Sequence, residues 1–176
     1  MTDKTRRGFL GGLARLVTGA VIAGISLEAS AESYTAEDKK ETARILYAES
    51  ANQTDKNKRL VARTIINRAK SKDYPSTPYK VIHQKNAFTC THDGSKLWKQ
   101  ANGKTKMNAY EEKVWAKSKT AAKAVYNGTK EGITREDEIV AYHDTSISKP
   151  NTKYWNSLEL VYTSGKLKFY APKKKK

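Results

Sequence analysis

The chain reads as an α+β domain, with helices first and a small antiparallel sheet last. Two observations predict this. Apolar residues recur with helical spacing from about residue 36 to residue 127, then switch to strand-like runs after residue 138. Ser164-Gly165, between Leu158–Tyr162 and Lys166–Tyr170, marks a tight hairpin turn.

The first helix is expected over 36–51. Thr35 stands where an N-cap belongs, and Glu37 and Asp38 follow in the first turn, where the helix dipole favours negative charge. Asn52-Gln53-Thr54-Asp55 breaks it. A second helix is expected over 56–69. Leu60, Val61, Thr64 and Ile65 mark one face and Ala62, Ile66 and Ala69 another, as in a central helix buried on two sides. Asn67-Arg68 closes it, and a polar pair ending a buried helix must find partners, either a loop to hold or a ligand. Tyr74-Pro75 and Thr77-Pro78 punctuate the next loop. Pro78 can open a short helix over 79–84 with Thr77 as cap. Residues 85–103 read as irregular, and so long a loop in a compact domain is usually functional or disordered. Phe88 and Trp98 argue against disorder. Asn108, with Glu111 three residues on, predicts a capped third long helix over 109–127, ended by Gly128. Residues 139–143 are strand-like.

Residues 1–31 read as an export signal peptide of twin-arginine type. Thr5-Arg6-Arg7-Gly8-Phe9-Leu10 precedes a weakly apolar stretch too short to span a bilayer, and Ala29-Ser30-Ala31 has the small-x-small form of a cleavage site. Cutting after Ala31 removes four basic and two acidic side chains and leaves 145 residues of net charge +14. That length suits one domain, residues 32–172, followed by a basic tail at 173–176. The expectation is a periplasmic or envelope protein, a monomer with no stable membrane insertion after cleavage. So basic a chain meets anionic polymer. Export points to the cell envelope and away from nucleic acid.

The chemistry is sparse. His83, His92 and His143 show no metal-ligand spacing, and no glycine-rich phosphate loop is present, so neither metal nor cofactor is expected. Cys90 with His143 as base, oriented by Asp144 or Asn151, is a formal thiol-hydrolase arrangement. No helix start near Cys90 would lower its pKa, so a small buried side chain fits it better. What remains is an acid with aromatic and amide groups. Glu49 ends the apolar stripe of Ile45 and Leu46, which predicts a partly buried carboxyl able to hold a proton for general acid catalysis. Tyr47, Phe88, Trp98, Tyr142, Trp155 and Tyr170 are candidates to wall a sugar-binding groove.

Ala43-Arg44-Ile45-Leu46-Tyr47-Ala48-Glu49-Ser50 followed by Val61-Ala62-Arg63-Thr64-Ile65-Ile66-Asn67-Arg68 resembles the opening of the SleB/CwlJ-type cell-wall hydrolase family. Tyr74-Pro75, Val81-Ile82, Gln84, Ala87-Phe88-Thr89, Asp93-Gly94, Ala141-Tyr142-His143, Trp155 and Phe169-Tyr170 continue the likeness, which runs from Thr42 to Tyr170. The resemblance implies a lysozyme-like helical domain that cleaves glycan strands of peptidoglycan or spore cortex. It implies Glu49 as the catalytic acid and Asn67, Phe88, Thr89, Tyr142, His143 and Trp155 at the substrate. Ala48 stands where the family often has Gly, the C-terminal region diverges, and no wall-binding repeat precedes the domain.

The expected reaction is cleavage between N-acetylmuramic acid and N-acetylglucosamine by a single Glu, as a lytic transglycosylase rather than a hydrolase. Most glycosidases need a second carboxylate. Asp93 and Asp144 are the candidates, and Asp93-Gly94 reads first as a turn. The competing class is a non-enzymatic basic protein that grips anionic wall polymers. An exported nuclease lacks a recognisable metal or histidine motif.

Overall fold

The described residues hold the three long helices, the short helix and the C-terminal antiparallel sheet that the sequence predicts, together with two further short helices that it does not. The computed structural model describes residues 34–91 and 94–174, which lie in one compact unit, Tyr34–Lys176. The expected export signal at 1–31 lies outside the described residues.

Helix α1 spans Ala36–Ser50. Its start is fixed by a capping box: the Thr35 hydroxyl accepts from the Asp38 amide, and the Asp38 carboxylate accepts from the Thr35 amide. Asp38 also accepts from the Tyr79 amide (2.9 Å), tying this end to the third helix. Helix α2 spans Asp55–Lys70, capped by Thr54. Leu60, Val61 and Ile65 are wholly buried, as expected of a helix packed on two sides. The short α3, Pro78–Ile82, begins at Pro78 with Thr77 as cap.

Residues 85–103 are less irregular than expected. They hold a 3-10 turn, Thr89–Thr91, and a helix α4, Lys96–Ala101, capped by Ser95. A six-residue helix gives too little chain for a period to be seen. Helix α5, Ala109–Tyr126, has the predicted Asn108–Glu111 capping box. It packs along α1 and α2, with Val114, Ala121, Ala122 and Val125 buried.

Strands β1 (Ala141–Asp144), β2 (Leu158–Ser164) and β3 (Leu167–Pro172) form an antiparallel sheet in the order β1-β3-β2. A four-residue helix, α6 (Lys153–Asn156), sits in the β1–β2 connection. The hairpin turn is one residue later than predicted. Ser164 pairs with Leu167, and Gly165, at φ +56, takes the left-handed conformation the turn needs. The pairing shifts register between Leu160 and Tyr162, a bulge beside Val161.

The polar residues of α2 hold this sheet in place. Arg59 pairs with Glu131 and Arg63 reaches the Thr129 carbonyl and Glu136. Asn67 donates to the carbonyls of Glu136 and Ile139, both at 2.9 Å. Residues 59, 63 and 67 lie one turn apart on one stripe. That stripe pins the segment 129–139 and so sets where β1 starts. The expected polar end of a buried helix finds its partners in the loop.

Candidate active site

Glu49 lies in the last turn of α1, and its carboxylate Oε1 accepts from the Cys90 amide at 3.4 Å. The 3-10 turn that carries Cys90 therefore sits directly against the acid. Glu49 is exposed, not partly buried as its place after Ile45 and Leu46 predicts. Those two neighbours are wholly buried, but the helix face turns to solvent within the final turn.

The end of α1 is braced from behind. Lys58 is fully buried, and its ammonium donates to the carbonyls of Ser50, Ala51 and Gln53, the last two at 2.9 Å. These are the orphan acceptors that a helix leaves at its C-terminus and the turn beyond. Burial pushes the Lys58 ammonium below its ordinary range, with Asp55 opposing the shift.

Phe88 and Cys90 are buried in a cluster with Ile45, Ile65, Val81 and Ile82, against which Ala48, Trp98 and Tyr142 pack. Tyr142, from β1, is placed so that Glu49, Arg68 and Cys90 all act on its hydroxyl. Burial first, then the Glu49 charge, push that phenol above its usual range, against the pull of Arg68. It therefore stays a hydrogen-bond donor. The Arg68 guanidinium lies 5.8 Å from the centre of the Phe88 ring and 5.5 Å from that of Tyr74, and its Nε donates to the Val140 carbonyl (2.7 Å). Glu49, Phe88, Cys90, Tyr142 and Arg68 thus form one patch: an open carboxylate beside aromatic rings and a cation.

Asn67, His143 and Trp155 do not join it. Asn67 is 6% exposed, and both hydrogens of its amide go to backbone carbonyls, so its observed contacts are those of a loop anchor. His143 and Trp155 are on the far side of the sheet. Tyr142 pairs with Phe169, which faces the helices, and the next residue, His143, points the opposite way because strand side chains alternate. There His143 stacks on Tyr170 at 5.2 Å, and Trp155 meets both rings edge-on at 5.5 and 5.4 Å. His143 Nδ1 donates to the Asp144 carbonyl (2.7 Å), and its Nε2 hydrogen-bonds the Tyr170 hydroxyl (2.8 Å). The formal Cys90–His143 pairing is broken by the same alternation. The Thr89 side chain lies outside the described residues, as do His92 and Asp93. Asp144 accepts from the Ser146 amide at 2.8 Å, and hydrogen bonding to the Ser146 side chain first and its amide second holds the carboxyl below the usual range.

Arg68 is the residue that sequence reasoning does not assign. Its signal is its place beside Asn67 in the most family-like segment: neighbours on a helix project about 100° apart, so only one of the pair can face the loop while the other faces the rings. Among the described residues there is no group of three His, Cys, Asp or Glu side chains fit to hold a metal ion. None of their helices is long and apolar enough to cross a membrane.

The sequence model of the Cell Wall Hydrolase family matches residues 52–170, beginning just after the Glu49 segment. No curated protein matches the chain. Two solved structures are similar in fold. One is the catalytic domain of the Bacillus cereus SleB protein, with a TM-score of 0.58 and 23% identity, covering 78% of this chain and 92% of that one. The other is the catalytic domain of the germination-specific lytic transglycosylase SleB from Bacillus anthracis, with a TM-score of 0.56 and 23% identity, covering 78% and 97%.

Proposed function

The chain belongs to the cell wall hydrolase family, and on that premise we propose that it cleaves peptidoglycan glycan strands with Glu49 as its one catalytic acid. The bond is the one between N-acetylmuramic acid and N-acetylglucosamine. The observation that carries the reading is the meeting of Glu49 with the Cys90 amide beside Tyr142, Phe88 and Arg68. A carboxyl there is open to an incoming glycosidic oxygen. The flanking rings offer faces to sugars.

Glu49 gives its proton to the leaving oxygen of the glycosidic bond. The muramic C6 hydroxyl then attacks the anomeric carbon, and the Glu49 carboxylate takes the hydroxyl proton. The product ends in a 1,6-anhydro ring and no water is consumed. One carboxylate suffices for this lytic transglycosylase route, whereas hydrolysis ordinarily calls for two. Among the described residues, Glu49 is the carboxylate that acts at Tyr142, and Asp144 is occupied in its own turn. The similar fold of a protein described as a lytic transglycosylase supports the same choice. Because Glu49 is exposed in the free protein, the bound strand itself excludes water from the carboxyl. Within this reading residues 32–172 are the catalytic domain, 173–176 a basic tail, and 1–31 a twin-arginine signal that delivers a monomer to the envelope.

Glu49→Gln on purified sacculi tests the proposal. The amide keeps the shape and cannot give an acidic proton, so release of soluble fragments is expected to fall more than about 100-fold. Wild-type release by the variant rejects Glu49 as the acid. Mass spectrometry of wild-type products separates anhydro from reducing ends. Binding of sacculi by the wild-type protein with no cleavage at all supports the non-enzymatic alternative instead.

A further inference from the structure

Helices α1 and α5 enclose a groove of about 390 Å³ whose lining includes Lys39, Lys40, Trp115, Lys119, Lys123 and Tyr126. No Asp or Glu lines it. Lys40 has a carboxylate neighbour in Glu37, at 3.9 Å between two exposed side chains, a pair worth little in water. Lys119 sits with its ammonium 5.6 Å from the centre of the Trp115 ring. Trp115, Lys119 and Lys123 are four residues apart and make one stripe along α5. Like charges at that spacing work against the helix. No carboxylate in the groove offsets them. Trp115 packs edge-on against Tyr47 at 5.8 Å and is only partly buried, so part of its ring remains open to the groove.

This groove is not a part of the Glu49 patch. Lys40 and Glu49 are nine residues apart on α1, about two and a half turns, which puts them on opposite sides of the helix. A second polymer strand can therefore occupy the groove while the first lies over Glu49.

We propose that the α1–α5 groove is a second wall-binding site. It takes a peptidoglycan strand, with a sugar ring on Trp115 and stem-peptide carboxylates on Lys39, Lys119 and Lys123. The proposal rests on the peptidoglycan reading given above. An aromatic floor suits a sugar face, which a bare phosphate chain lacks, and lysine ammonium groups suit single carboxylates. The site holds the enzyme on the mesh between cleavage events, a task that avidity between two sites performs without tight binding at either.

The test is co-sedimentation with purified sacculi in a Glu49→Gln background, so that nothing is consumed. Lys119→Gln with Lys123→Gln removes two charges from exposed positions, and Lys119→Arg with Lys123→Arg keeps them. The double Gln variant is expected to bind about tenfold more weakly, with an unchanged melting temperature, and the double Arg variant to retain most of the binding. Glycan strands stripped of peptides by an amidase are expected to bind wild-type protein no better than the Gln variant binds intact sacculi. Equal binding of sacculi by all three proteins overturns the proposal. So does undiminished binding of peptide-free strands, or displacement by soluble polyphosphate but not by muropeptides. The result is independent of whether Glu49 is the acid. A protein that binds through this groove yet cleaves nothing fails the functional reading alone.

Discussion

The amide of Cys90 donates to the carboxylate of Glu49 across 3.4 Å, so the two meet through the main chain and not through the thiol. A substitution that keeps the 3-10 turn therefore keeps the contact. The Cys90 side chain serves the apolar cluster behind it.

Cys90→Ala is expected to lower stability by about 1–2 kcal/mol, through lost packing of a small buried side chain, and to leave wall cleavage within about threefold of wild type. Sacculus turnover and a denaturant melt check the two halves. Loss of activity in a folded variant would revive thiol chemistry.

Asn67→Ala strips one hydrogen bond each from the carbonyls of Glu136 and Ile139; Glu136 keeps the Ile139 amide at 3.4 Å, while Ile139 loses its Asn67 donor. A loss of about 1–3 kcal/mol is expected, the cost of one unsatisfied buried group. Urea unfolding measures it. If Asn67 touched substrate instead, KM would rise while the unfolding midpoint stayed put.

Arg68→Lys keeps the charge but loses the planar group set against the Phe88 and Tyr74 rings, and the Nε bond to Val140. Activity on sacculi is expected to fall about tenfold, with a loss of about 1–2 kcal/mol in stability for the hydrogen bond. Full activity would detach Arg68 from the site.

Alkaline pH is expected to unfold the protein through its tyrosines. Burial raises the hydroxyls of Tyr74, Tyr126 and Tyr142 well above 10. Above pH 10 the unfolded chain has released these protons and the folded chain still holds them. Their contribution is thus complete below pH 10 and declines as pH rises beyond it. Each costs about 1.4 kcal/mol per pH unit, about 4 for the three together. Lys58, whose folded value is lowered, acts oppositely just below its unfolded value and no further. Urea melts between pH 9 and 12 measure the slope. Tyr126→Phe, far from Glu49 and bonded to Thr42, is expected to remove about a third of it. An unchanged slope would exclude Tyr126 as a contributor.

Much of this was readable before any coordinates. Thr35, Thr77 and Asn108 announce their helices because capping needs particular side chains at particular offsets, and all three cap as read. The switch to period two places the sheet. The exposure of Glu49 was not readable, because periodicity says which neighbours share a face and not what lies over it. The split between Tyr142 and His143 follows from alternation along a strand, yet family likeness groups them together. Asn67 shows the limit from the other side: the pattern demands partners for a buried amide and cannot say whether loop or ligand supplies them. The burial of Lys58 leaves no mark on its local sequence, since its acceptors come from the end of another helix and the turn after it.

The strand order β1-β3-β2 has a consequence for biogenesis. The middle strand follows both of its flanks in the chain, so neither flank finds a ladder partner until residues 167–172 have been made. A nascent polypeptide can form its bundle early, but the shelf that carries Tyr142 waits for synthesis to reach that point. A wall-cutting protein thereby stays incomplete until its central strand has been made.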